Sequence, residues 1–126
     1  MPYRIEEVDS IFEVRVWDPT SALEVLHAIT ELARRDPRKE RCDLWSFDTN
    51  LFLSLTEYPG MVRETASLCG KDFVGNRSAI LVYKGLQEAV AEMYQSEAAG
   101  KLPFEIGVFT SREDAIRWLK DGARST

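Results

Sequence analysis

Residues 102–119 read LPFEIGVFTSREDAIRWL, and this stretch decides the fold class. Phe104, Ile106 and Val108 alternate with period two, the pattern of a strand with one buried face. The alternation stops at Thr110. Ser111 follows, an N-cap residue type with Asp114 three positions on, and Ala115, Ile116 and Leu119 then recur at helical spacing. A strand therefore passes through a capped turn directly into an amphipathic helix.

The same unit reads three more times upstream. Residues 3–8 and 11–17 form two strands joined by the turn Val8-Asp9-Ser10, a link short enough to make an antiparallel hairpin. In the second strand Phe12, Val14 and Val16 alternate with Glu13, Arg15 and Trp17. Asp18-Pro19-Thr20-Ser21, with Glu24 behind it, starts a helix that runs to about Arg35. Ala22, Val25, Leu26, Ile29, Leu32 and Ala33 form its buried stripe, and Pro37 prevents continuation. Cys42 to Phe47 is a third strand. Asp48-Thr49-Asn50 opens a loop that runs on as Leu51-Phe52-Leu53-Ser54-Leu55, apolar for a connection. A second helix begins near Thr56, tolerates Pro59 in its first turn, turns Val62, Ala66 and Cys69 inward and stops at Gly70. Ser78 to Tyr83 is a continuous apolar run, which predicts a central parallel strand. Lys84-Gly85 leads into a third helix with the stripe Leu86, Ala89, Val90, Met93, Tyr94, ended by Gly100 and Pro103.

The order is ββαβαβαβα. It predicts an α/β fold with one mixed, mostly parallel five-stranded sheet and four helices, wired by right-handed crossovers as a single domain over residues 1–126. The second and last strands alternate whereas the fourth is apolar throughout, so the helices are expected to cover the two faces unequally. Trp17 and Phe109 would fall on the barer face as an exposed aromatic patch.

With 126 residues, 44% of them apolar and 29% charged, the chain has the composition of one globular domain with its own core. The net charge of −5 speaks against a nucleic-acid partner, whose binding rests on phosphate neutralisation, and against an anionic membrane surface. No apolar run approaches the roughly 20 residues of a membrane span, and no leader pattern opens the chain, so the expected setting is cytoplasmic. Cys42 and Cys69 have no C-x-x-C spacing and no companion histidines. They read as reduced, core-type residues.

The element order and the closing block resemble one family. Glu92-Met93-Tyr94-Gln95, then residues 102–106, Val108-Phe109, Glu113-Asp114-Ala115 and Trp118-Leu119 look like the C-terminal half of small bacterial SpoIIAA-like proteins. Those have the STAS-type fold and are grouped with CRAL-TRIO-like lipid-transfer domains. Tyr3-Arg4-Ile5 and Asp43-Leu44 are similar too, so the resemblance spans most of the chain. It implies a fold more than an activity. STAS anti-sigma antagonists carry an Asp-Ser pair at the start of the helix after the third strand, and a kinase phosphorylates that serine. The corresponding position falls near Phe52 here, with Thr49 and Ser54 nearby but out of register, so the partner-switching serine is absent.

The candidate chemistry is sparse. His27, the lone histidine, points to the polar side of its helix and reads as a solvated residue. Glu6, Glu7, Asp9, Glu13, Glu92 and Glu97 have no metal-ligand spacing and read as solvated faces. Arg34, Arg35, Arg38, Lys39 and Arg41 complement a helix C-terminus, with an anion or partner patch as the sharper alternative. Asp48-Thr49-Asn50 and Lys84-Gly85 lie at the carboxyl ends of strands, where open α/β sheets bind ligands. No nucleotide fingerprint accompanies them, and no metal or cofactor is expected. Met93 and Tyr94 beside Leu51, Phe52 and Leu53 form an apolar constellation that needs a cover.

Two readings follow. The first is a non-enzymatic interaction or regulatory domain, homodimeric or docked on a protein partner through Trp17, Phe109 or the Leu51–Leu55 loop. The second is a binding module for a small apolar or lipid-like ligand, in a pocket of roughly several hundred Å3 lined by Phe52, Met93 and Tyr94. An enzyme ranks last, because it would require a serine or cysteine nucleophile beside His27.

Overall fold

Two residues reverse the chain at the first hairpin. β1 (Tyr3–Val8) pairs antiparallel with β2 (Ile11–Val16), Val8 lies opposite Ile11, and Asp9 and Ser10 between them have φ of 51° and 65°. Positive φ at both central positions is the geometry whose twist matches the flanking strands. The structure is a computed structural model that describes residues 3–17, 22–47, 57–69, 73–82 and 85–124.

From β2 onward each strand runs parallel to its predecessor. β3 (Asp43–Phe47), β4 (Ser78–Leu81) and β5 (Ile106–Phe109) complete a five-stranded sheet in the order β1-β2-β3-β4-β5. α1 (Ala22–Arg35), α2 (Glu57–Ser67) and α3 (Leu86–Ala98) make the crossovers, and α4 (Arg112–Arg124) follows β5. The α/β class, the mixed sheet and the four helices are thus as the sequence predicts.

Every crossover steps to the next strand in the same direction, so a constant hand places α1, α2 and α3 on one face. Phe12, Val14, Val16, Trp45 and Phe47 of the sheet meet Val25, Ala28 and Leu32 of α1, Met61 of α2 and Ala91 of α3 there. The intervening strand residues point the other way: Ile11, Leu44 and Ala79 pack with Ala115 and Leu119 of α4. The faces are covered unequally, three helices against one. After Ser78 the chain is apolar from Ala79 to Val82 because helices lie over both sides of β4, Ile80 and Val82 under the three and Ala79 and Leu81 under α4. Ser111 caps α4 as expected, its hydroxyl accepting a hydrogen bond from the Asp114 amide at 3.4 Å.

α4 packs on β3, β4 and β5. The same face at β1 and β2 is left to charge. Arg4 pairs with Glu6 at 2.6 Å, and Arg112 at the start of α4 reaches across to Glu13. Trp17, just past β2, is 37% exposed. Phe109 departs from expectation. It is not a second open aromatic, because its ring packs on Trp118 of α4 with centroids 5.4 Å apart. Gly107 makes the fit possible: a Cβ there would come within 2.7 Å of the Phe109 ring and 3.1 Å of Trp118.

α3 is also turned from the expected stripe. Val90, Ala91, Tyr94 and Ala98 face inward, whereas Ala89 and Met93 lie outside, Met93 at 42% exposure. The small side chains of Ala91 and Ala98 form the buried seam. Leu, Ala and Met patterns alone did not distinguish this rotation from its neighbour. On α2, Met61, Val62 and Thr65 are buried, Ala66 is half-buried, and Cys69 lies two residues past the helix end.

Candidate binding site

α1, α2 and α3 do not fill the space between themselves and the sheet. A cavity of about 130 Å3 remains. Trp45, Phe47, Ile80 and Val82 form its floor, α1 contributes Val25, Ile29 and Leu32, and α3 contributes Val90, Ala91 and Tyr94. Met61 and Thr65 of α2 close it from the third side. The strand alternation explains the character of the floor: each of these floor residues lies on the face turned toward the three helices.

At one end the lining becomes polar. Asp43 and Ser78 open β3 and β4 and sit opposite each other in the parallel register, and Lys39, Thr65 and Cys69 join them. Lys39 is aimed inward by the turn after α1. The Asp36 carboxylate accepts hydrogen bonds from the Glu40 and Arg41 amides, both at 3.0 Å, and the Asp36 carbonyl accepts from the Lys39 amide at 3.0 Å. This turn holds Lys39 at φ 49°, a conformation unusual for a side chain of its size. The consequence is a lysine whose side chain is only 10% exposed, between Arg38 and Arg41, whose side chains are 58% and 46% exposed.

The Lys39 ammonium bonds Asp43 Oδ2 and lies over the Phe104 ring, 5.0 Å from its centroid. Asp43 Oδ1 accepts from Trp45 Nε1 at 3.0 Å. Both carboxylate oxygens therefore have a donor, and the pair carries no net charge. Nearby, the Thr65 hydroxyl donates to the Met61 carbonyl at 2.8 Å and hydrogen-bonds the Tyr94 phenol. Burial pushes the Tyr94 phenol above its usual value, and it does the same to the Cys69 thiol. Cys42 is on the other side of the sheet, with its thiol donating to the Leu119 carbonyl at 3.4 Å and its pKa also raised by burial.

Of the residues singled out in the sequence, Tyr94 lines this cavity and Met93 does not. Phe109 belongs to the opposite face of the sheet, and Trp17, just past β2, is not among the lining residues. Asp48, Thr49, Leu51, Phe52, Leu53 and Lys84 lie outside the described residues, as does Ser54. The cavity is also smaller than the expected pocket. The sequence places Lys39 only in a basic patch, and it assigns Asp43, Trp45, Thr65 and Phe104 to no site. One signal did exist: Asp43 shares its strand face with Trp45 and Phe47, which puts a carboxylate among buried aromatics, where it needs a cation and donors. The basic run around Lys39 is matched by acids, Arg34 and Arg35 by Glu31, Arg38 by Glu40 and Arg41 by Glu7. His27 is exposed. Among the described residues no group of three side chains could hold a metal ion, and no helix is long and apolar enough to cross a membrane.

No protein-family model and no curated protein matches the chain. Among solved structures it is similar to an uncharacterized protein of the DUF3478 family with a SpoIIAA-like fold from Shewanella loihica PV-4. The two are 22% identical over 93% of this chain and 91% of that one, with a TM-score of 0.49.

Proposed function

We propose that the protein is a non-enzymatic, SpoIIAA-like binding domain that holds a compact apolar molecule between the sheet and α1, α2 and α3. The single observation behind this reading is the cavity of about 130 Å3. Left empty, the space leaves its apolar lining open to water, and a small apolar molecule would cover that lining. An apolar cavity of roughly 150 Å3 accepts benzene. Drug-sized ligands occupy about 300–1,000 Å3, so the occupant here has the size of a single ring or a short branched chain rather than a full acyl tail. The pairing of Lys39 with Asp43 supports a binding rather than a catalytic role, because each group is held by the other.

Toluene tests the reading. Amide NMR spectra recorded during a toluene titration should shift at Ile29, Thr65 and Ala91, which sit on the three covering helices. Spectra unchanged up to the solubility limit would refute it.

A homodimer or a protein partner is the second reading, favoured by Trp17, which is 37% exposed at the end of β2. The charges at Arg4, Glu6 and Glu7 on the edge strand β1 work against open-ended strand pairing, so a contact there would use the face of the hairpin. Sedimentation at micromolar concentration decides the homodimer: a two-chain mass that Trp17→Ser reduces to one chain supports the contact, and a one-chain mass for the unaltered protein refutes it.

A further inference from the structure

We propose that the site selects an uncharged ligand carrying one hydrogen-bond acceptor, and that Lys39 Nζ supplies the donor. This rests on the binding reading above and names the ligand class.

A lysine ammonium carries three N–H donors. Among the described residues Lys39 has one hydrogen bond, to Asp43, and one ring contact, with Phe104. Its side chain is 10% exposed and lines the cavity. A buried donor without an acceptor is costly, and an oxygen on a ligand placed beside Phe104 removes that cost. Of the other polar groups, the Ser78 hydroxyl at the same end is an uncharged and weaker donor than an ammonium, and Thr65 and Tyr94 are already engaged. Thr65 donates to the Met61 carbonyl, and Tyr94 is bonded to Thr65.

Charge narrows the class further. The Lys39–Asp43 pair is neutral, so a carboxylate ligand would leave one negative charge unbalanced against an apolar lining. An ammonium ligand would leave one positive charge. Either is expensive to desolvate, whereas a hydroxyl, ketone or ester oxygen adds no charge. The remaining lining, from Val25 to Val82, is suited to the ligand's apolar body.

Calorimetric titration of the full chain with toluene, benzyl alcohol and benzoate tests this. Benzyl alcohol should bind at least as tightly as toluene, although its hydroxyl must leave water, and benzoate should not bind measurably. In the double variant Lys39→Met/Asp43→Asn, which keeps an acceptor for Trp45 and leaves no lone charge, benzyl alcohol should lose about tenfold in affinity. Toluene should change by less than about twofold. Toluene binding without benzyl alcohol, benzoate as the tightest ligand, or equal losses for both neutral ligands in the double variant would each overturn the proposal while leaving a binding cavity. Failure of all three ligands on the unaltered protein would overturn the cavity reading as well. The ligand panel on the unaltered protein decides the matter even if the double variant does not fold.

Discussion

Lys39 and Asp43 face each other across the end of an apolar cavity, one on the turn after α1 and the other at the first position of β3. Their side chains are 10% and 6% exposed. A pair so buried contributes little net stability, but it ties the turn to the sheet and sets the polarity of the site.

Removing one partner should be far worse than removing both. Lys39→Met strands the Asp43 carboxylate among Trp45 and Phe104 and should cost about 3–5 kcal/mol in denaturant unfolding. Lys39→Met/Asp43→Asn should recover at least half of that loss. Equal losses in the single and double variants would mean that the pair's charge is not what the turn depends on.

Gly107 should not accept a side chain. Gly107→Ala puts a methyl against the Phe109 and Trp118 rings, at 2.7 Å and 3.1 Å. The expected loss is about 1–3 kcal/mol, read as a lowered denaturation midpoint. Trp118→Leu in the same chain should make the alanine less costly than it is beside Trp118. Unchanged stability of Gly107→Ala alone would contradict the close packing of β5 on α4.

Stability should fall on the alkaline side. Burial raises Cys42 and Cys69 above their usual 9.0 and Tyr94 above its usual 10.0. The unfolded chain then loses these protons first. Their contribution is present in full below the unfolded values and is lost as pH rises through the folded ones. Urea midpoints measured from pH 8 to 11 should decline from about pH 9 upward, and Tyr94→Phe should flatten the part of the decline above pH 10. A midpoint that rises over this range would contradict the burial of these groups.

Much of the fold is written in local pattern. The alternation of Phe12, Val14 and Val16, the cap at Ser111 and the unbroken run from Ser78 each state a single physical demand, and the structure meets them. The site is written in pairings that sequence spacing does not reveal. Lys39 reads as one more cation in a basic run until the Asp36 turn rotates it inward. Met93 and Tyr94 are adjacent in sequence, and only the packing of Ala91 and Ala98 decides which of them faces the cavity. The aromatic at Phe109 looks exposed on a half-covered sheet until α4 brings Trp118 over it.

The cavity itself is tested most directly by filling it. Ala91 lines the space and is 7% exposed, so Ala91→Leu projects three added carbons into it. Alone, that variant should be more stable by about 0.5–2 kcal/mol. Thermal unfolding of both proteins with and without saturating toluene is the decisive measurement. The account predicts that toluene raises the midpoint of the unaltered protein and leaves that of Ala91→Leu unchanged. An equal rise in both, or none in the unaltered protein, would contradict it.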